Sequence, residues 1–248
     1  MNDFIAESDR ALLQRHGLDA FDTLWDLQLT AVDEPNTGRG GWSSVYRLVL
    51  DEASYYLKRQ SNYLTRSLGK PWGEPTFARE FRTIQRYQRL GIPALQAVLF
   101  AQRRVAGEHR ALLLTRALDD WQDLDSLLLE WPTLPPAWRQ SILRACGELA
   151  RTLHGAGQVH GCFYPKHIFL RERGDGFEAC LIDLEKTRAL LFGRRDRIKD
   201  LEPLLRRAAV WSQAEVRELL SAYLGEGADL DAWLQRLSVR QHDKQARR

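Results

Sequence analysis

The residues with chemical potential are His160, Cys162 and His167, all within His160-Gly161-Cys162-Phe163-Tyr164-Pro165-Lys166-His167, and Asp183, which closes the apolar run Cys180-Leu181-Ile182. A carboxylate at a strand end can bind Mg²⁺ through oxygen. Upstream, Lys58 lies in Tyr55-Tyr56-Leu57-Lys58-Arg59, where an ammonium can meet α- and β-phosphates as a point charge. Glu80 follows 22 positions later and is the natural ion-pair partner of Lys58. Gly38, Gly40 and Gly41 precede Lys58 by one strand. Without a Cβ they let backbone N–H groups approach phosphate oxygens, although a plain hairpin turn has the same composition. Phosphoryl transfer needs these parts: phosphates held still, a metal ion among them, and an aligned acceptor oxygen.

Protein kinases place H-R-D-L-x-x-x-N in their catalytic loop and D-F-G a short hairpin later. On that frame His160 takes the His slot, His167 the Asn slot and Asp183 the metal-binding Asp slot, while Cys162 stands where the catalytic Asp belongs. A thiol of ordinary pKa, about 8.5, is mostly neutral near pH 7 and cannot orient a hydroxyl as a carboxylate does. The transition state is loose, so positioning can outweigh base catalysis and transfer can persist without the acid. His167 can bind the metal, or hydrogen-bond a phosphate or Asp183. His160 reads as a brace for the loop, and Asp200 in Ile198-Lys199-Asp200-Leu201 as a second brace from a following helix.

The elements that must position these residues follow from pattern. Amphipathic helices are expected at 4–14 and 21–27, then a strand at 27–32. The glycine turn at 36–46 runs into a strand ending at Leu50, and 55–59 is the next strand. Residues 60–76, with Gly69, Pro71, Gly73 and Pro75, read as a long functional loop. A helix at 77–90 is stopped by Gly91 and Pro93, and strands follow at 97–102 and 111–115. Helices at 124–130 and 138–154 precede the motif. A hairpin then pairs 168–170 with 179–182. The remainder is helical, with Ser212 and Glu215 forming a capping box and a last helix at 230–237. The fold class expected is α+β, a two-lobed protein-kinase-like fold in one domain. Its small lobe, about 21–118, has an antiparallel sheet and one long helix. Its helical lobe covers about 119–238, a basic tail 239–248, and nucleotide is expected between the lobes.

The 248 residues carry a net charge of +3, too little to indicate nucleic acid. Arginines and lysines nonetheless cluster late, at Arg194, Arg195, Arg197, Lys199, Arg206 and Arg207 and in the tail. Such a cluster is a solvated face or a contact for anionic headgroups. Cys146, Cys162 and Cys180 form no C-x-x-C pair, and Cys146 and Cys180 read as core residues. No membrane-spanning run and no secretory signal pattern occurs, so a cytoplasmic location is expected.

The glycine turn with Trp42-Ser43-Ser44-Val45, the Lys58 strand, Phe77-Ala78-Arg79-Glu80-Phe81, the loop from His160 to Phe169, Leu181-Ile182-Asp183-Leu184-Glu185-Lys186 and Lys199-Asp200-Leu201 together cover roughly residues 21–223. In these the chain resembles the lipopolysaccharide core kinases, the InaA-like and heptose-kinase group of the kinase-like superfamily. The resemblance implies ATP- and Mg²⁺-dependent phosphorylation of a sugar, heptose first, in the lipopolysaccharide inner core. It implies a core glycolipid partner and peripheral contact with the cytoplasmic face of the inner membrane. Active heptose kinases of the group carry a His at the position of His167 and an Asp at that of Cys162. The short interval from Asp183 to Asp200, 17 positions without an A-P-E-like element, favours a small molecule or glycan over a protein substrate. Two functions stay open: a sugar kinase, and a pseudokinase that binds nucleotide or glycolipid without transfer, for which Cys162 speaks. The sequence leaves the oligomeric state unspecified.

Overall fold

The computed structural model describes residues 3–38, 40–67 and 70–245, with side chains through 66 and from 71 to 238. The side chain of Lys70, residue Gly69 and the basic side chains of the expected tail, among them Arg240, Lys244, Arg247 and Arg248, lie outside the described residues. The chain divides into two compact units, Met1–Arg86 with Leu95–Asp119, and Tyr87–Ala94 with Asp120–Arg248.

In the first unit, β1 (Phe4–Ile5) leads into α1 (Glu7–Arg15) and α2 (Phe21–Asp26), then β2 (Asn36–Gly38), β3 (Gly41–Leu50) and β4 (Ala53–Ser61). After β5 (Leu64–Ser67) and β6 (Lys70–Pro75) come α3 (Thr76–Leu90), β7 (Ala97–Val105) and β8 (Glu108–Arg116). Six of these strands form one antiparallel sheet in the order β1-β7-β8-β4-β3-β2. Successive side chains point to opposite faces. Tyr55 and Leu57 on β4, with Leu112 and Leu114 on β8, bury against Leu13, Phe21 and Leu24 of α1 and α2. The other face takes α3, whose Phe81 stacks on Phe100 with ring centroids 4.5 Å apart. Lys58, one residue out of phase with Leu57, therefore lies on the α3 face.

Three expectations change here. The first helix starts at Glu7, because Phe4–Ile5 pairs with the edge of β7. No strand forms at 27–32. Its backbone is instead satisfied piecemeal: Arg59 donates to the Leu27 carbonyl at 2.5 Å and Val32 N–H to Val45 O at 2.8 Å, so no ladder is needed. The expected loop at 60–76 contains the hairpin β5–β6. Gly73, at φ +90°, and a bulge between Thr65 and Ser67 let the pair form despite its prolines.

The second unit opens with β9 (Gln122–Asp123), α4 (Leu124–Glu130), α5 (Pro136–Gly155) and β10 (Gln158–Val159). The hairpin β11 (Ile168–Arg173) and β12 (Gly176–Leu181) follows, then β13 (Arg188–Ala189), α6 (Arg194–Arg207), α7 (Gln213–Leu224) and α8 (Leu230–Gln245). The hairpin is longer than expected and gains β9 as a third strand. Helices α5 and α7 approach so closely that a Cβ on Gly147 would stand 2.4 Å from the Leu219 carbonyl. Ser212 and Glu215 exchange both bonds of the capping box at the start of α7. Cys146 and Cys180 are buried, and burial pushes both thiols up to about 12. The end of α3 groups with this unit, where Tyr87 donates to Thr187 at 3.3 Å and Leu181 N–H to Pro93 O at 3.1 Å. The architecture has the expected class: α+β, with an antiparallel sheet early and helices late. Among the described residues no helix is long and apolar enough to cross a membrane.

Candidate active site

Lys58 Nζ donates to Glu80 Oε1 at 2.6 Å, with the lysine side chain 19 % and the glutamate 6 % exposed. Two devices set this pair. The register Val45↔Lys58↔Leu113 holds Lys58 in the middle of the sheet, flanked by β3 and β8. Gln60, two residues on and fully buried, holds the start of α3: its Oε1 accepts from Thr76 Oγ1 at 2.7 Å and from Phe77 N–H at 2.9 Å. That fixes the first turn of α3, and Glu80 stands one turn later. The glycines form the β2–β3 hairpin end, with Gly38 paired to Gly41 and Gly40 at φ +80°. Gly41 has a packing reason as well, since a Cβ there would lie 2.1 Å from the Ser61 carbonyl. So the glycine turn and Lys58 belong to adjacent strands of one sheet.

In the second unit the segment from His160 to His167 is pinned from both sides. Asp200 of α6, buried, accepts from His160 N–H at 2.7 Å, Gly161 N–H at 2.8 Å and His154 Nε2 at 3.1 Å. Tyr223 lies 2.8 Å from the other nitrogen of His154. His160 Nε2 donates to Ile182 O at 2.9 Å, since a carbonyl can only accept, and Nδ1 accepts from Cys162 N–H at 3.3 Å. The ring thus ties the loop to the residue before Asp183, and burial lowers its pKa. Gly161, at φ +79°, leaves no room for a Cβ, which would meet Lys186 O at 2.7 Å.

Asp183 adopts the left-handed conformation (φ 57°), one that Asp tolerates better than most residues. Its Oδ2 lies 3.2 Å from His167 Nε2, while His167 Nδ1 donates to Cys162 O at 2.8 Å. Desolvation lowers the His167 pKa. The Asp183 carboxylate and the Nε2 that faces it are an oxygen and a nitrogen that a cation could share. Among the described residues no cluster of three or more His, Cys, Asp or Glu side chains forms. One carboxylate with few other protein donors fits Mg²⁺, which takes its remaining ligands from phosphates and water.

Cys162 is 4 % exposed. Lys186 stands beside its sulfur, and that neighbour, by charge first and hydrogen bonding second, raises the Lys186 ammonium above its ordinary value. The slot therefore holds a sulfur beside an amine. The model of the lipopolysaccharide kinase (Kdo/WaaP) family matches residues 22–223. This chain belongs to the lipopolysaccharide kinase family.

Protein InaA of Escherichia coli (strain K12) is 31% identical over 208 residues, covering 79% of this chain and 94% of InaA. The solved structure of WaaP in complex with acyl carrier protein covers 98% of both chains with a TM-score of 0.72 at 22% identity, which establishes the kinase-like fold. Kinases of this family are phosphotransferases acting on lipopolysaccharide, and the chain is a lipopolysaccharide kinase in that sense. Within the family fold, the structure brings Lys58 to Glu80, and His160, Cys162, His167 and Asp183 into one connected cluster. Sequence reasoning missed Lys186 and His154. A Lys three residues after a candidate metal carboxylate was a usable signal for the first. His154, in the last turn of α5, carries no local signal.

Proposed function

We propose that this chain transfers the γ-phosphoryl group of ATP, with Mg²⁺, to a heptose hydroxyl of the lipopolysaccharide inner core. The Lys58–Glu80 pair is the observation that carries the reading. A nearly buried carboxylate holds an amine beside a glycine hairpin, an arrangement with a direct use in gripping phosphates. In this reading Lys58 takes the α- and β-phosphates, and Glu80 fixes its amine. The N–H groups around Gly38, Gly40 and Gly41 approach phosphate oxygens. Asp183 and His167 would hold Mg²⁺, which would offset phosphate charge. Cys162 occupies the base slot, where the acceptor hydroxyl is positioned more than deprotonated. His160 and Asp200 keep that slot in place and touch no substrate. The acceptor is the core glycolipid, met peripherally at the cytoplasmic face of the inner membrane. No nucleic-acid partner is part of the reading.

The test is purified protein with labelled ATP, Mg²⁺ and dephosphorylated core glycolipid. Label should enter the glycolipid slowly and vanish with Lys58→Ala and with Asp183→Ala. A second reading, binding of nucleotide or glycolipid without transfer, is favoured by the buried thiol in the base slot. Saturable nucleotide binding with no label transfer would decide for it.

A further inference from the structure

We propose that residues 191–195, the loop before α6 and its first two residues, form a membrane-contact element that docks on a bilayer surface rich in anionic phospholipid. The inference deepens the reading above and rests on it for the purpose of the contact. Leu191 and Phe192 are consecutive, 70 % and 64 % exposed, and both project from a segment that is not slack. Their N–H groups donate to Asp196 Oδ2 at 2.9 and 3.0 Å. Asp196, itself buried, is held by both terminal nitrogens of Arg188 at 3.0 and 2.8 Å. Leu190 N–H donates to Gly157 O at 2.8 Å, and Arg195 N–H to Phe192 O at 3.1 Å. The backbone is thus tied before, within and after the apolar pair, so its ordering cost is met before any partner arrives.

The charges around the pair choose the occupant. Arg194 and Arg195 follow it directly and are exposed. Arg194 lies over Trp233 at 5.7 Å, and Arg195 has no ion-pair partner among the described residues. The acidic residue of the segment, Asp196, is already neutralised by Arg188. An apolar tip with a basic collar is the composition of elements that sit in the headgroup region of anionic bilayers. A free anion would answer the arginines and leave the apolar pair unexplained, and an apolar protein surface would do the reverse. The segment lies in the chain between Asp183 and Asp200, within the same unit as both. Docking here would bring the chain to the surface in which a glycolipid acceptor is itself anchored.

The experiment is sedimentation of the full chain, without nucleotide, with vesicles of phosphatidylcholine alone and with added phosphatidylglycerol. The wild type should partition to the anionic vesicles. Leu191→Ser with Phe192→Ser should weaken partitioning about tenfold or more, and Arg195→Gln about fivefold. High salt should erase the arginine contribution and spare part of the apolar one. Leu129→Ser, which alters another apolar side chain 85 % exposed on α4, should change nothing. Equal binding of wild type and the double serine variant overturns the proposal, as does indifference to the anionic lipid. Variant-sensitive self-association without vesicle binding overturns it in favour of a second copy. Label transfer to detergent-dispersed acceptor separates the two readings. The double serine variant should retain it there and lose it with acceptor in vesicles. A wild type inactive in detergent sinks the kinase reading while the vesicle result stands on its own.

Discussion

Asp200→Asn tests what holds the catalytic loop. The carboxylate accepts three hydrogen bonds: His160 N–H and His154 Nε2 on Oδ2, and Gly161 N–H on Oδ1. An amide has one accepting oxygen. Placed at the Oδ2 position it keeps two of the bonds, and its NH₂ then faces the Gly161 N–H, donor against donor. The loss is one charge-assisted bond plus a donor-against-donor contact at the half-buried Gly161 N–H, together about 3 kcal/mol. For a chain of this size that lowers the melting temperature by roughly 6–12 °C. Asp200→Ala removes the acceptors of all three bonds and should cost about 4 kcal/mol, softened where water can enter. Asp231→Asn, an exposed partner of Arg217, serves as control and should cost under about 0.5 kcal/mol. Urea unfolding followed by tryptophan fluorescence gives the stabilities, and amide hydrogen exchange reads the loop itself. Exchange at His160 and Gly161 should quicken more than about a hundredfold in the asparagine variant. Label transfer should fall by about a hundredfold as well, because a displaced loop misplaces the acceptor. An asparagine variant with wild-type urea midpoint and wild-type amide protection would refute the argument that this carboxylate fixes the loop.

Other outcomes follow from the same geometry. Lys58→Met should abolish label transfer and cost about 3 kcal/mol by stranding Glu80, while Lys58→Met with Glu80→Met should recover stability and not transfer. Recovery of both in the double variant would show the pair to be structural. Cys162→Asp should raise the transfer rate about a hundredfold, since it restores a base beside Lys186. A loss of rate would assign the thiol a role of its own. His160 and His167 are both held below their ordinary 6.5 by burial, so the unfolded chain binds more protons than the folded one just below that pH. Stability should therefore decline as pH falls from about 6.5, as read from urea midpoints across pH. His160→Gln should flatten the slope.

Much of the candidate site was legible in linear order because its parts are local or evenly spaced. Lys58 and Glu80 were legible as a Lys on the strand after a glycine turn and a Glu in the first turns of the next helix, although the hairpin β5–β6 between them was not. Asp183 announces itself as a carboxylate ending an apolar run, and His160 and His167 share a loop too short to scatter. Asp200 could be suspected as a brace, though its three donors could not be counted. The helices were legible through their apolar faces, and the misses fell where pattern is weak. Prolines and glycines at 69–75 hid a strand pair that a bulge between Thr65 and Ser67 and Gly73 at φ +90° accommodate. A β-rich run at 27–32 makes only an isolated bridge, Ala31 to Tyr46, and its Leu27 carbonyl is taken by Arg59, more than thirty positions away.

What the sequence determined by itself was the class of chemistry and the order of its parts: backbone periodicity and residue type are local properties. What the tertiary structure alone decided was neighbourhood. Lys186 against the Cys162 thiol and His154 wedged between Asp200 and Tyr223 are contacts between segments that share no repeat. Such contacts arise when buried polar groups must find partners wherever packing brings them, and that requirement is written in the folded core rather than along the chain.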